Sequence, residues 1–282
     1  MNALFLGGGS HVIAPRFEPL AVLRAMADQA VNAVLLVPTM IQLIDHAEIR
    51  QVRIDSLRNL LYGASPISEA LLDRAMAALP SAGFTQLYGM TALSPAATIP
   101  SPEMHRSPGR STSRHRSAGR AGACAQIRIV DSLGQDVPLG SVGEVAVRAG
   151  MMLGHWNKPA QTAAAARDGR MFTGDGGRLD EAGYPFIVDR LKDMIVGGGE
   201  NVYSAEVEGA IAAHPDVASC AVIRVPDKQR GELVHAVIVQ ARRCADGRAD
   251  RRHCKRPLAG NKCPRQVSFV AALPVSGTGK IL

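Results

Sequence analysis

Four short clusters of glycines and polar residues have the composition of nucleotide-binding or catalytic segments. In chain order they are Tyr88-Gly89-Met90-Thr91, Phe172-Thr173-Gly174-Asp175, Gly197-Gly198-Gly199 and Gly277-Thr278-Gly279-Lys280. A carboxylate such as that of Asp175 accepts hydrogen bonds with two oxygens, and glycines let a ligand approach the backbone closely. Each cluster alone also fits a structural role, such as a strand end, a tight turn, or a turn whose carboxylate caps backbone amides.

Two familiar nucleotide motifs are excluded by spacing. To match a P-loop, the last cluster would need a glycine in place of Pro274 and a serine or threonine in place of Ile281. The glycine triplet fails the dinucleotide fingerprint, because the third glycine of that pattern would fall on Val202. The clusters therefore indicate chemistry only when they are considered together.

The elements that must position these clusters change in type along the chain. Ala33 to Val37 and Leu57 to Tyr62 are short apolar runs typical of buried strands, and Ser68 has the position of an N-cap for a following helix. This alternation predicts a parallel sheet. Between Ile127 and Val147, short strands separated by turn residues predict an antiparallel region.

The C-terminal third is predicted to form a small α/β unit. It begins near Ser204 with a helix through Val207 and Ile211, followed by strands at Cys220 to Val225 and Ala236 to Val239. The 28 glycines and 17 prolines make the chain rich in turns, which favours an α/β enzyme over a helical bundle.

The formal net charge of +7 is concentrated in two stretches. Residues 105–120 contain five arginines and no acidic residue, whereas residues 242–256 contain six arginines and one lysine against two aspartates. Residues 100–123 contain almost no large apolar side chain, so we expect a disordered basic loop there. Arginine-rich segments can bind phosphates without sequence specificity, and a basic nucleic-acid or anionic-surface binding protein stays open as an alternative.

The sequence also indicates where the protein is found. No apolar run approaches the roughly 20 residues that a membrane-spanning helix needs. The apolar segment Ala3 to Leu6 has no basic residue before it, since the first is Arg16, and it lacks the charged flank of a secretory signal. Five cysteines without CxxC spacing are typical of reduced thiols. We expect a cytoplasmic protein.

In their order and separations, the clusters resemble the adenylate-forming (AMP-binding) superfamily, specifically the acyl-CoA synthetases or fatty-acid–CoA ligases. The resemblance extends from about residue 12 to Lys280. Its marks are Val37-Pro38-Thr39-Met40, Gly63-Ala64-Ser65-Pro66, Tyr88-Gly89-Met90-Thr91, Gly143-Glu144-Val145, Thr173-Gly174-Asp175, Asp189-Arg190-Leu191-Lys192-Asp193, Gly198-Gly199-Glu200-Asn201-Val202-Tyr203 and Pro274 to Lys280.

The resemblance implies a fold and a reaction. Residues 1–189 would form the C-terminal part of a large α/β AMP-binding domain, with a parallel sheet and a small antiparallel region. Residues 190–282 would form an α+β lid domain with its hinge at Lys192. The implied reaction activates a fatty or other hydrophobic carboxylic acid with ATP as an acyl-adenylate and transfers it to CoA, a role in fatty acid and lipid metabolism.

The resemblance also implies site residues. Tyr88 would stack on adenine, Thr91 would donate its hydroxyl to the α-phosphate, and Asp175 would accept both ribose hydroxyls. The implied ATP- and AMP-binding set is Gly63, Ala64, Ser65, Pro66, Tyr88, Gly89, Thr91, Asp175, Arg190 and Lys280.

Two residues, Lys280 and Thr91, are implied to be catalytic. The Lys280 ammonium would bridge the attacking carboxylate and the α-phosphate, where negative charge develops. After the lid rotates about Lys192, Gly197, Gly198 and Gly199 would replace Lys280 and line the CoA channel.

Three features depart from the family pattern. The family's phosphate-cradling loop, rich in Ser, Thr and Gly, normally precedes the segment that corresponds to residue 12, so we expect an N-terminally truncated copy. Ala92 stands where the family has a Mg²⁺-binding glutamate, and alanine offers no oxygen to a hard cation. The two basic stretches resemble out-of-frame or diverged sequence. We therefore expect impaired activity, and an exposed sheet edge that promotes aggregation or oligomerisation.

Overall fold

A computed structural model describes residues 6–45, 52–94, 96–99, 102–105, 114–197, 200–227, 231–240, 258–260, 262–276 and 281. Over these residues the chain forms one parallel sheet and two largely antiparallel sheets. Each sheet packs its own apolar core. The mixed α/β architecture expected from the sequence is confirmed. No helix within the described ranges is both long and apolar enough to cross a membrane.

The parallel sheet has the strand order β1-β2-β3. Its strands are β1 (Ala33–Leu36), β2 (Asn59–Gly63) and β3 (Gly83–Leu87), and its helices are α1 (Pro19–Asp28), α2 (Pro38–Asp45) and α3 (Glu69–Ala78). The sheet and helices enclose a core that includes Leu23, Leu57 and Phe84. Strand β1 lies at an edge of the sheet, and its Leu35 side chain is 66% exposed. This edge is therefore apolar and open over the residues that the structure describes.

Helix α3 begins at its predicted cap. The Ser68 hydroxyl oxygen accepts a hydrogen bond from the Leu71 N–H at 3.3 Å, which satisfies a backbone donor of the first turn. Leu71 and Leu72 are buried in the core below the sheet. The cap therefore fixes where the loop after β2 turns into the helix.

The second sheet has the order β4-β5-β7-β6, with β8 also paired to β7. Its pairs are antiparallel, as predicted from the turn-rich sequence. Val145, Val147 and Met171 are almost fully buried in its core. Its elements are β4 (Gln126–Val130), β5 (Gly143–Arg148), α4 (Pro159–Ala165), β6 (Ala166–Arg167), β7 (Arg170–Leu179) and β8 (Pro185–Arg190).

The third sheet belongs to the C-terminal α/β unit. Strands β11 and β12 form a long antiparallel pair, and β13 joins β12 in parallel. Val207 and Ile211 of the single long helix in this part of the described chain pack into the core of the sheet, as the sequence predicts. The elements are β9 (Ile195–Gly197), β10 (Glu200–Val202), α5 (Ser204–Ala212), β11 (Val217–Asp227), β12 (Gly231–Gln240) and β13 (Gln266–Phe269).

Residues 114–122 differ from the disordered loop expected for 100–123. The Ala118 N–H donates to the Pro185 carbonyl at 2.8 Å, and Ala118 is buried. The guanidinium groups of Arg114 and Arg120 lie 4.6 and 5.0 Å from the Tyr184 ring centroid. These arginines obtain aromatic and polar partners, so the segment is ordered without large apolar side chains of its own.

The rest of the basic sequence is only partly described. Residues 102–105 form a short 3₁₀ turn in which His105 is buried and lies 3.0 Å from the Tyr62 hydroxyl through Nε2. Residues 100, 101 and 106–113 lie outside the described residues, as does the second arginine-rich stretch at 242–256.

Glu208 of α5 links this helix to β11 and makes folding stability depend on pH. Its Oε1 accepts the Val222 N–H at 2.8 Å. Burial raises the pKa of Glu208 to about 7, and the nearby Asp189 charge acts in the same direction. Between its usual value of 4.5 and about 7, the folded state binds more protons than the unfolded state, so stability falls as pH rises through that window.

We expect Glu208→Gln to remove this loss, because the amide oxygen still accepts the Val222 N–H and carries no charge. The melting temperature at pH 8 should rise by a few degrees relative to the unmodified chain, with little change at pH 5. Thermal unfolding from pH 5 to 8.5 measures this. The control is Glu206→Gln on the same helix, where the exposed carboxylate pairs with Lys262. If the melting temperature changes with pH equally in Glu208→Gln and in the unmodified chain, Glu208 is not the source of the pH dependence.

Candidate functional site

Asp175 stands at the centre of the candidate site. It lies on β7 directly opposite Arg190 of β8, and only 9% of the residue is exposed. Its Oδ1 is 3.4 Å from the Arg190 Nε, and its Oδ2 accepts a hydrogen bond from the Tyr88 hydroxyl at 2.9 Å. Three of the residues singled out in the sequence therefore meet, although Tyr88 follows β3 while Asp175 lies on β7 and Arg190 on β8.

Tyr88 reaches Asp175 because it follows β3 directly. Its backbone bridges to Thr98, which turns the chain back beside the strand end. Burial of the ring and the neighbouring Asp175 charge raise the pKa of the Tyr88 hydroxyl well above its ordinary value of 10.0. The hydroxyl therefore keeps its proton in the physiological range and acts as a hydrogen-bond donor.

A turn within β7 aims the Asp175 side chain. The Thr173 hydroxyl donates to the Val145 carbonyl at 2.8 Å and accepts the Asp175 N–H at 3.1 Å. Gly174 has a φ of +73°, which favours glycine, and its N–H donates to the Glu144 Oε1 at 2.9 Å. Sequence reasoning quoted Glu144 and Thr173 within motifs and gave them no role. Their signal is the spacing of polar residues around Gly174.

The segment Gly63 to Pro66 lies beside Tyr88 at the same edge of the parallel sheet. Gly63 ends β2 and is paired with Leu87, the last residue of β3. The segments that follow β2 and β3 therefore leave the sheet side by side, at the carboxyl ends of the two strands. Open α/β sheets bind ligands at these ends. Ala64 has a φ of +69°, and Ala64 and Pro66 are exposed while Ser65 is half-buried.

Thr91 and Ala92 follow in a short 3₁₀ turn, Thr91–Leu93. Thr91 is exposed, and Ala92 is held in place because its carbonyl accepts the Met152 N–H at 2.9 Å. The side chain at position 92 is a methyl group and does not fit a Mg²⁺ ligand. Among the residues that the structure describes, no group of three or more His, Cys, Asp or Glu side chains could hold a metal ion.

Lys192 lies in a 3₁₀ turn, Leu191–Asp193, between β8 and β9, and its side chain is exposed. Gly197 ends β9 and bridges to Gly231 of β12. Gly198, Gly199 and Lys280 lie outside the described residues. The structure thus brings together Tyr88, Asp175 and Arg190, with the Gly63 to Pro66 segment beside them, and leaves the implied CoA loop and catalytic lysine undescribed.

Asp189 joins the second sheet to the C-terminal unit, which sequence reasoning missed. Its Oδ2 accepts the Ser204 N–H at 2.5 Å and the Ser204 hydroxyl at 2.7 Å. A carboxylate at the start of a helix satisfies free backbone donors and complements the helix dipole. Asp189 therefore holds the start of α5 close to the strand that carries Arg190.

Comparison with known protein families gives two matches. A family described as "AMP-binding enzyme" matches residues 1–156, and one described as "AMP-binding enzyme C-terminal domain" matches residues 206–280. A feruloyl-CoA synthase of Amycolatopsis sp is 39% identical over 98% of this chain and 55% of its own length. The medium/long-chain-fatty-acid–CoA ligase FadD8 of Mycobacterium tuberculosis is 35% identical over 97% of this chain and 48% of its own. The chain thus spans about half the length of these curated relatives.

Solved structures show the same similarity in three dimensions. The amide bond synthetase McbA from Marinactinospora thermotolerans superposes with a TM-score of 0.86 at 32% identity, over 97% of this chain and 56% of that one. The o-succinylbenzoate CoA synthetase MenE from Bacillus subtilis, in complex with the acyl-adenylate intermediate OSB-AMP, gives 0.83 at 29% identity, over 99% and 56%. Together with the family matches and the motif residues assembled around Asp175, this shows that the chain belongs to the AMP-binding enzyme family.

Proposed function

We propose that this chain contributes nucleotide-binding and lid segments to an ATP-dependent acid–thiol ligase. In this reaction a carboxylate attacks the α-phosphate of ATP and releases pyrophosphate, and the thiol of CoA then displaces AMP from the acyl-adenylate. The observation that carries the proposal is the meeting of Tyr88, Asp175 and Arg190 beside the segment Gly63 to Pro66.

Different residues are proposed to contact the base, the ribose and the α-phosphate of the nucleotide. The Tyr88 ring and the segment Gly63 to Pro66, together with Gly89, line the adenine slot, and the Asp175 carboxylate accepts the ribose hydroxyls. Arg190 contributes a charged guanidinium beside that carboxylate. Thr91, exposed in its turn after β3, donates its hydroxyl to the α-phosphate. Asp175 and Arg190 thus place charged groups beside a nucleotide that is itself polar and charged.

Lys280 supplies the positive charge at the reacting centre in this proposal. An ammonium group between the attacking carboxylate and the α-phosphate stabilises negative charge that develops in the transition state. The domain boundary lies after Asp189, and rotation of residues 190–282 about Lys192 then exchanges Lys280 for Gly197, Gly198 and Gly199, which line the path of CoA.

The acid is proposed to be hydrophobic. The relatives include one named for feruloyl and one named for medium- and long-chain fatty acids, so their names cover aromatic and aliphatic acids. Fatty acid metabolism is therefore one of two metabolic settings consistent with the proposal, and metabolism of aromatic acids is the other.

We further propose that adenylation by this chain alone is slow. Ala92 brings no oxygen to the position where the family has a Mg²⁺-binding carboxylate, and ATP phosphates rely on such support. Carboxylate-dependent exchange of labelled pyrophosphate into ATP measures this step. A rate comparable with that of an intact relative would contradict the proposal.

We also propose that the chain associates through the edge of its parallel sheet. The open edge of β1, with its exposed Leu35, is a surface through which copies of the chain pair or aggregate. The contacts of the first basic stretch argue against a nucleic-acid binding role. Arg116 pairs with Glu69 at 2.9 Å, and Arg114 and Arg120 lie on Tyr184, so these arginines are engaged within the chain.

Labelling of lysines tests the proposed function. If Lys280 closes over bound nucleotide, ATP should reduce its modification by an amine-reactive probe, measured by peptide mass spectrometry. The exposed Lys158, in the loop before α4, is the internal control and should be labelled equally with and without ATP. Equal labelling of Lys280 in both conditions would contradict the proposal. Binding of duplex DNA that disappears when residues 105–120 are deleted would favour the basic module instead.

A further inference from the structure

The hydroxyl of Tyr88 has a contact that stacking on adenine does not need. A stacking platform uses the face of the ring, and a phenylalanine would provide it equally well. In this structure the hydroxyl donates to the Asp175 Oδ2 at 2.9 Å, and it lies 3.4 Å from the Thr173 Oγ1. The hydroxyl therefore connects the end of β3 to the turn of β7 that carries the carboxylate.

The bond is of the strong kind. One partner is an ionised carboxylate, and hydrogen bonds to charged groups are shorter and about twice as strong as neutral ones. The surroundings exclude much of the solvent, because Asp175 is buried and Thr173 is 7% exposed. The raised pKa of Tyr88 keeps the donor proton on the phenol. Asp175 therefore meets the same donor at every physiological pH.

The contacts with Tyr88 and Arg190 involve different oxygens of the Asp175 carboxylate. Oδ2 faces Tyr88, and Oδ1 faces Arg190 across the β7–β8 pair. Because the two contacts hold different oxygens, together they fix the plane of the carboxylate.

We propose that the Tyr88 hydroxyl is a positioning group that orients the Asp175 carboxylate for recognition of the ribose 2′- and 3′-hydroxyls. This inference rests on the proposed nucleotide site and adds a second task to a residue otherwise assigned to the adenine base. If the inference is right, removal of the Tyr88 hydroxyl oxygen changes the preference for ribose over 2′-deoxyribose, although the tyrosine ring is proposed to lie against the base.

The substitution Tyr88→Phe tests the proposal because it keeps the ring and removes the donor. The probes are AMP and 2′-deoxy-AMP, and the measurement is the dissociation constant of each by titration calorimetry. For the unmodified chain we expect tighter binding of AMP. For Tyr88→Phe we expect about tenfold weaker AMP binding and a smaller change for 2′-deoxy-AMP, so the preference for the ribose shrinks.

A matched control is available on the neighbouring strand. Tyr62 of β2 is fully buried, and its hydroxyl bonds to His105 instead of Asp175. Tyr62→Phe removes a buried tyrosine hydroxyl in the same way and should leave the ratio of the two dissociation constants unchanged. If Tyr62→Phe and Tyr88→Phe shift the ratio equally, the effect is general loosening and the inference is wrong.

A second variant covers the case in which Tyr88→Phe folds poorly. Tyr88→4-aminophenylalanine places an N–H donor at the same point of the ring and should recover much of the ribose preference. An unchanged ratio in Tyr88→Phe, or no recovery with 4-aminophenylalanine, overturns the positioning role and leaves the nucleotide site intact. Failure of the unmodified chain to bind AMP overturns the proposed function and the inference with it.

Discussion

Replacing Asp175 by asparagine is expected to weaken AMP binding by about 100-fold. The side chain keeps its shape but loses its charge and one acceptor oxygen, so the two charge-assisted hydrogen bonds proposed to the ribose would become one neutral bond. Hydrogen bonds to charged groups contribute roughly 1.5–3 kcal/mol each, and a change of about 2.8 kcal/mol corresponds to a factor of 100. The substitution also leaves the Arg190 guanidinium without its anionic partner at 3.4 Å.

The control for Asp175→Asn is Asp136→Asn. Asp136 also pairs with an arginine, since its Oδ1 is 2.6 Å from the Arg128 Nε, but this pair joins β4 to the turn after it and is exposed to solvent. The two variants change net charge equally, so only a direct contact with the nucleotide separates them. Titration calorimetry with AMP measures both. Equal affinities for the two variants would show that Asp175 does not touch the ribose.

Gly63→Ala is expected to lower the free energy of unfolding by about 2–3 kcal/mol, a typical cost of forcing atoms into a packed site. A Cβ at this position would lie 2.4 Å from the Leu87 carbonyl oxygen, well inside contact distance. The Leu87 carbonyl oxygen belongs to the backbone of the paired strand β3, so a change of side-chain rotamer cannot relieve the contact. The ends of β2 and β3 must separate, and the segments that flank the proposed adenine slot move with them. Urea unfolding measures the loss.

The neighbouring residue gives the opposite prediction. Ala64 has a φ of +69°, where a side chain costs roughly 1–2 kcal/mol relative to a right-handed conformation. Ala64→Gly should therefore stabilise the chain by about 1 kcal/mol or less, since glycine also gains entropy in the unfolded state. The two reciprocal substitutions differ by one methyl group each. Destabilisation of equal size in both would contradict the geometry described for this loop.

Much of the fold follows from local patterns in the sequence. The apolar runs at 33–37 and 57–62 form β1 and β2, and Ser68 caps the helix between β2 and β3. These features depend on side chains within a few residues of each other, so the composition and spacing of the sequence are sufficient to predict them. The antiparallel pairing of β4 with β5 follows in the same way from the turn residues between them.

The site depended on more than local pattern. Family motifs indicated Tyr88, Asp175 and Arg190, but the bond between the Tyr88 hydroxyl and Asp175 joins residues 87 positions apart. The role of Glu144 depends equally on the register between β5 and β7. No short-range pattern encodes such contacts, because tertiary packing decides which polar atoms meet.

The segment at 114–122 shows a different reason for error. Its composition predicts disorder, because it has little apolar surface to bury. Its arginines nevertheless find Tyr184, and Arg114 also lies 3.7 Å from Asp180 through its Nε. Order here comes from partners supplied by the β7–β8 turn, about 60 residues away in sequence. Composition of the segment alone carries no information about those partners.

The central claim is that the carboxyl edge of the parallel sheet and the β7–β8 pair form one adenosine-nucleotide site. A crystal structure of the chain grown with AMP tests it most directly. We expect ribose hydroxyls within hydrogen-bond distance of the Asp175 carboxylate and adenine between the Tyr88 ring and the segment Gly63 to Pro66. AMP bound with its ribose away from Asp175, at any other part of the surface, would contradict it.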